Sequence, residues 1–359
     1  MAVKGIPLWQ QKAAEARAHR DASLAKVEPP LKGVPAVEQL PKNSLELVPH
    51  VLTPREIEIT ESYTVTELLQ VLRERKISVE EVTRAFLRRA ALCQAAGELQ
   101  INCVTELLWD QAIARAKHLD SLPSPQGALF GLPISTKEHL GMIGENVTSN
   151  ASFAAWVGKP HGSNLLFDSL WAEGCVFFAR TTQPQAIMHL ETESNVYGRT
   201  VHPFNRELTP GGSSGGESAL LGMRGSLLGI GGDIGGSIRL PASNTGIYGF
   251  KPSTKRISTS GLRAAYLGRD TIAGCPGPMT WNLLDYPGAV FPVTKVDPAV
   301  DVKDEGYLPK NDMDRFVWEM YDGEKMKESP VNLQVVGRRQ EEEKVLAALE
   351  EIERAMGRK

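Results

Sequence analysis

Thirteen of the chain's 33 glycines fall between Gly211 and Gly249, and this crowding restricts the fold more than any other feature. Glycine loses more backbone freedom on folding than any other residue, so a dense run of it needs a structural reason. The usual reason is backbone approaching backbone, or backbone approaching a ligand. The run has no collagen period, and its interleaved Ser, Asp, Arg and apolar residues set it apart from a flexible linker. A backbone-lined site is expected here.

The rest of the chain is ordinary and globular. It has 359 residues, is 42% hydrophobic and 23% charged, and carries a net charge of −3. A near-neutral balance argues against a nucleic-acid partner, which needs a cationic surface. No run approaches the roughly 18 apolar residues of a membrane span, and the start (MAVKGIPLWQQKAAEARAHRD) lacks a signal peptide's apolar stretch. Cys93, Cys103, Cys175 and Cys275 are far apart without paired metal spacing, which points to a reduced, cytoplasmic setting.

Local patterns place the elements. Residues 1–60 are expected to form an extension: a charged helix from Trp9 to Ala25, then a Pro-broken stretch over the surface. Thr64 with Glu67, and Ser78 with Glu81, have the spacing of reciprocal helix caps. Val82, Phe86, Ala90 and Cys93 then form one apolar stripe. A further helix is expected over Leu107–Leu119. Between Leu129 and Thr182, short apolar runs (LFGLPIST, GCVFFART) alternate with helical segments such as SNLLFDSLWAEG, which indicates an α/β architecture. Residues 331–337 read as a strand and Glu341–Met356 as a helix with Val345, Leu346, Leu349 and Ile352 on one face. Cys275–Pro330 is poorly patterned, with two strand-like pieces at most, and no internal repeat is visible.

Three familiar site patterns fail. Gly212-Ser213-Ser214-Gly215-Gly216 fits the G-x-S-x-G nucleophile elbow, but that fold needs a histidine after its serine. All seven histidines precede Ser214. GGSSGGES lacks the G-K-[ST] ending of a phosphate loop, and no G-x-G-x-x-G has an acidic residue at the dinucleotide-binding spacing. No His/Cys set has metal-ligand spacing. A serine can also be activated by a neutral lysine. Lys137 follows the apolar run GLPIST and should sit at the end of a buried strand, where desolvation lowers its pKa. Ser237 lies in GGDIGGSIR (231–239), whose glycines allow several N–H groups to converge on an oxyanion. Ser213, in the other glycine nest, is placed to relay a proton between the two.

These residues carry a family resemblance. GGSSGGE (211–217) followed by GDIGGSIR (232–239), with GLPISTKEHL (131–140) and GFKPSTKRIS (249–258), resembles the amidase signature family. TTQPQAIMHLETESNVYGRTVHPFNRELTPGGSSGGES is similar to its fungal acetamidase-like and fatty-acid-amide-hydrolase-like branch. The likeness covers most of residues 64–279 and resumes near the end. It implies an α/β/α sandwich around a mixed β-sheet and no metal or organic cofactor. It also implies a Ser-cisSer-Lys triad, with Lys137 as base, Ser213 as bridge and Ser237 as acyl-accepting nucleophile. Backbone N–H groups of Ile234, Gly235, Gly236 and Ser237 would form the oxyanion hole, Asp233 and Arg239 would hold the loop, and Ile187 would contact the acyl group. The implied reaction cleaves a small aliphatic or acyl amide to a carboxylate and ammonia or an amine; a homodimer is compatible with this.

Two features depart from the family. Gly232 stands where a small hydroxyl residue is usual. In GCPGPMTWNLLDYPGAVFPVT (274–294), Met279 runs directly into Thr280-Trp281, where relatives have a long segment of helices and strands. The amidase signature domain, residues 61–359, is therefore expected to be incomplete between about 279 and 281. Two alternatives stay open: an amidotransferase-type subunit that releases ammonia from glutamine, and a catalytically impaired, shortened amidase homologue.

Overall fold

The structure, a computed structural model, describes residues 6–95, 101–140, 165–258 and 279–358. Cys275 and most of the GCPGPM segment lie outside the described residues. The architecture is α/β with a mixed sheet, as the alternating pattern predicts.

The N-terminal part is helical: α1 (Leu8–Leu24), α2 (Val48–Val51), α3 (Pro54–Glu61), α4 (Val65–Arg73) and α5 (Val79–Gln94). Thr64 and Glu67 cap α4 reciprocally, as their spacing predicts. At Ser78 the cap is one-sided: its hydroxyl accepts from Glu81 N–H, while the Glu81 carboxylate takes the Arg55 guanidinium at 2.8 Å. A second reciprocal cap, Thr53 with Glu56, starts α3 behind Pro54. α5 buries far more than one stripe, because α3, α6 (Trp109–Ser121) and the sheet all pack on it. Even Arg89 is fully buried there, its guanidinium donating to Met223 O (2.6 Å) and Thr60 Oγ1 (2.7 Å).

The extension packs onto the body. Val27, Leu47, Val48, Val51, Leu52 and Ile59 belong to the main core, and Ala13 and Ala16 of α1 pack on Val196 and Tyr197. The pattern of small residues on a charged helix explains why periodicity understated this: alanines let α1 approach closely without a large apolar stripe.

The strands form two principal sheets. One has four strands in the order β1-β3-β2-β6: β1 (Val104–Leu107), β2 (Pro133–Lys137), β3 (Val176–Thr181) and β6 (Leu228–Ile230). β2 is parallel to both neighbours, and β1 is antiparallel to β3. Leu107, expected to open a helix, instead closes β1; α6 begins two residues later. Two short strands, β4 (Glu193–Ser194) and β5 (Gly198–Arg199), pair with each other. The third sheet is antiparallel, β7 (Gly249–Lys251), β8 (Gly288–Lys295) and β9 (Pro330–Val336). Helices α7 (Leu165–Ala172), α8 (Gly215–Gly222), α9 (Arg239–Thr245), α10 (Met279–Leu283), α11 (Asp312–Met320) and α12 (Glu342–Ala355) complete the chain. The region called poorly patterned thus holds two helix segments as well as β8. The apolar residues of α11, Met313, Phe316, Val317 and Met320, do fall at helical spacing, but all are exposed and add nothing to the buried core.

Candidate active site

Three elements converge on one buried point: the end of β2, the turn entering α8, and the loop between β6 and α9. β2 is buried along its whole length, flanked by β3 and β6. Its last residue, Lys137, is 0% exposed. Its Nζ donates to Ser213 Oγ at 2.6 Å. Burial is the main influence on this amine and lowers its pKa; nearby Asp233 and Glu217 pull the other way, and the outcome is a pKa of about 7. A good fraction of the amine is therefore neutral near neutral pH.

Ser213 is itself fully buried, and the Gly212–Ser213 peptide bond is cis. Two residues on, α8 starts. Gly216 passes so close to β3 that a Cβ there would sit 2.5 Å from both N and O of Thr182. Only glycine lets the backbones approach this closely, which accounts for part of the glycine crowding.

The loop from Gly231 to Ile238 is organised by one carboxylate. Asp233 accepts from the N–H groups of Gly236 (2.8 Å), Ile238 (3.1 Å) and Arg239 (3.3 Å). It also accepts from Arg239 Nε and Nη2 and from Asn282 Nδ2. Burial alone would raise its pKa; the bonds and charge of Arg239, with help from Asn282 and Gly236, outweigh that and hold it below the usual range. Arg239 extends the network to Gln334 of β9 and Asn282 of α10. Asp233 and Arg239 therefore hold the loop, as expected.

The N–H groups of Ile234, Gly235 and Ser237 have no acceptor among the described residues, whereas that of Gly236 is taken by Asp233. Ser237 is half-buried, and its hydroxyl makes no hydrogen bond among the described residues. Its carbonyl accepts from Ser214 N–H at 3.1 Å, which pins the serine loop beside the cis-peptide turn. Lys137 and Ser213 are thus in contact, and Ser237 is one loop away. Ser214, the false elbow serine, faces backbone carbonyls only. Ile187 is buried at φ 60°, an uncommon conformation for a β-branched residue, beside the exposed Met188 and Leu190. The backbone there touches the turn: a Cβ on Gly212 would meet His189 O at 2.5 Å.

Sequence reasoning missed two contributors. Asn282 lies in the WNLLDYP segment, and its amide holds both the carbonyl and the side chain of Asp233. Glu217, within the GGSSGGE motif, is fully buried and receives Ser135 Oγ and Thr181 Oγ1, each at 2.7 Å. Among the described residues no group of three or more His, Cys, Asp or Glu is arranged to hold a metal ion, and no helix is long and apolar enough to cross a membrane.

With this geometry in view, likenesses to known proteins can be placed. The profile of the family described as Amidase matches residues 81–289. A Schizosaccharomyces pombe protein described as an amidase is 31% identical, with 96% of this chain and 98% of that protein covered. That alignment runs over 538 residues, more than the 359 present here, so the relative has a long stretch without a counterpart. An Aspergillus oryzae acetamidase is 37% identical over 81% of this chain, but only 52% of its own length is covered. The chain spans about half the length of this and several other curated relatives. Among solved structures, a fatty acid amide hydrolase superposes with a TM-score of 0.82 over 97% of this chain and 95% of its own, at 22% identity, a likeness of fold.

Proposed function

The chain belongs to the amidase family, and from that premise we propose that it is a serine amide hydrolase working through Lys137, Ser213 and Ser237. The observation that carries this reading is the buried Lys137 amine, 2.6 Å from the Ser213 hydroxyl and with a pKa near 7. An ammonium would be the wrong species to accept a proton. A desolvated amine is the right one.

In the proposed cycle, neutral Lys137 takes the Ser213 proton while Ser213 takes that of Ser237. Ser237 Oγ bonds to the amide carbonyl carbon, and the carbonyl π electrons move onto oxygen. The N–H groups of Ile234, Gly235 and Ser237 are left for that oxyanion; Gly236 supports them through Asp233. The Lys137 proton returns through Ser213 to the amine, the C–N bond breaks, and water cleaves the acyl-enzyme. Ile187, with Met188 and Leu190 beside it, offers an apolar contact for a small aliphatic or acyl group. The acetamidase relatives support a small amide as substrate, and a cytoplasmic setting fits the free, buried Cys93, Cys103 and Cys175.

A second reading, a shortened homologue of impaired activity, is favoured by the stretch that relatives carry and this chain does not. We place that gap between about 279 and 281, within the domain spanning 61–359. A fluorophosphonate probe separates the two. The active form gives a covalent adduct on Ser237 by peptide mass spectrometry, lost in Ser237→Ala; absence of any adduct at pH 8 refutes the triad.

A further inference from the structure

Glu217 has no part in the cycle above, yet its position is unusual. It sits in the first turn of α8, four residues after Ser213. Its carboxylate lies across three strands: Thr181 of β3 and Ser135 of β2 donate to it, and a Cβ on Gly229 of β6 would be 2.1 Å from its Oε2. Ser135 is two residues before Lys137 on the same face of β2, and Thr181 is the register partner of Lys137. A buried carboxyl is therefore built into the floor under the proposed base, with both oxygens satisfied by hydroxyls and neither by a cation.

We infer that Glu217 is a positioning residue that sets the proton affinity of Lys137, acting as the electrostatic floor of the base. The inference rests on the proposed function for its purpose, but the pairing itself is independent of turnover.

The surroundings favour this assignment. Among the described residues two carboxylates favour the charged form of Lys137: Asp233 from the loop after β6, the larger influence, and Glu217 from α8. Asp233 is ion-paired with Arg239 as well. Glu217 has no such partner: burial pushes it up to about 7, against the bonds from Thr181 and Ser135 and the attraction of Lys137. Cys103, also near Glu217, is pushed well above its usual range by burial and contact with Cys93, so it stays neutral. Arg180, Glu106 and Glu138 form a separate group: Arg180 and Thr181 are neighbours in β3 and so point to opposite faces, and Glu138, in the turn beyond β2, is influenced by Arg180 and Glu106. His139 faces Gln183 and the Gly232 backbone. Lys137 and Glu217 each act on the other's proton affinity, so removing one charge must move the other.

The test is Glu217→Gln, which keeps the shape and hydrogen-bonding capacity toward both hydroxyls but removes the charge. Lysine carbon-13 labelling at Cε, with the Lys137 signal assigned by its loss in Lys137→Met, reads the amine directly without requiring activity. Removing a nearby negative charge should lower the Lys137 midpoint by about one pH unit or more, a tenfold loss of proton affinity. Ser135→Ala, which withdraws one donor from the ionised carboxylate, should move the midpoint the same way by less, and serves if the Gln variant does not fold. An unchanged or raised midpoint in the folded variant overturns the inference. Fluorophosphonate labelling of the wild-type chain, run alongside, reports on the triad alone, so failure of either idea is visible separately.

Discussion

Asp233→Asn is the sharpest test of what holds the serine loop. The substitution preserves size but turns an acceptor of six donors, three of them backbone N–H groups, into an amide with one acceptor oxygen. It also strands Arg239, whose side chain is 2% exposed against 1% for Asp233. Breaking a buried ion pair by removing one partner costs about 3–5 kcal/mol, a large share of the roughly 5–15 kcal/mol that holds a domain together. The loss should fall first on residues 233–239, because their N–H groups lose their acceptor. Hydrogen–deuterium exchange read by mass spectrometry should show faster exchange at Gly236, Ile238 and Arg239, with a lower urea midpoint. Asp233→Asn combined with Arg239→Met removes both charges, and should be more stable than the single variant, since no uncompensated cation remains. A double variant less stable than Asp233→Asn would refute the reasoning. The pH sign follows from the lowered Asp233 pKa: its contribution is complete above the unfolded value near 3.8 and is lost as pH falls through the lower folded value.

Three further outcomes are expected. Lys137→Met should reduce Ser237 labelling by about a thousandfold or more while leaving the thermal midpoint unchanged or raised, because an apolar chain replaces a buried amine; normal labelling would remove Lys137 from the base role. Wild-type labelling should rise with pH through about 7, where Lys137 loses its proton, and a rate that is flat from pH 5 to 9 would contradict this. Gly216→Ala places a Cβ 2.5 Å from the Thr182 backbone, so it should destabilise by about 1–3 kcal/mol in urea unfolding, whereas Gly288→Ala, whose Cβ would meet nothing nearer than 3.7 Å, should not.

What the sequence made legible was local. An apolar run ending in Lys137 is a buried strand with a desolvated amine at its tip, and two glycine nests become two turns that meet. The reciprocal cap at Thr64 needed only a spacing of three residues, whereas at Ser78 the same spacing gives half a cap because Arg55 takes the Glu81 carboxylate. What stayed hidden depends on tertiary contact. Nothing near Asn282 in the chain signals that it will hold Asp233, and the floor made by Ser135, Thr181 and Glu217 comes from three separate elements. α1 was legible as a helix, but its attachment was not: its tie to the sheet, His19 to Glu106 at 2.7 Å and Leu107 N–H to Ser23 Oγ, uses polar side chains that hydrophobic periodicity ignores.

The distribution of burial explains how a chain half the length of its acetamidase relatives can still assemble these groups. Lys137, Thr181, Ser213, Glu217 and the loop to Arg239 come from strands and turns packed on one main core, whose buried members run from Val27 to Met223. Among the described residues beyond 251, Asn282 and Gln334 reach in: both bond Arg239, and Asn282 also holds Asp233 directly. The later part contrasts with this: Leu283, Phe316 and Leu333 are each more than half exposed, on elements that flank the direct join of Met279 to Thr280. For the base proposed above, desolvation and two carboxylates within the first 240 residues act on the proton affinity, with Asn282 supporting Asp233 from beyond them.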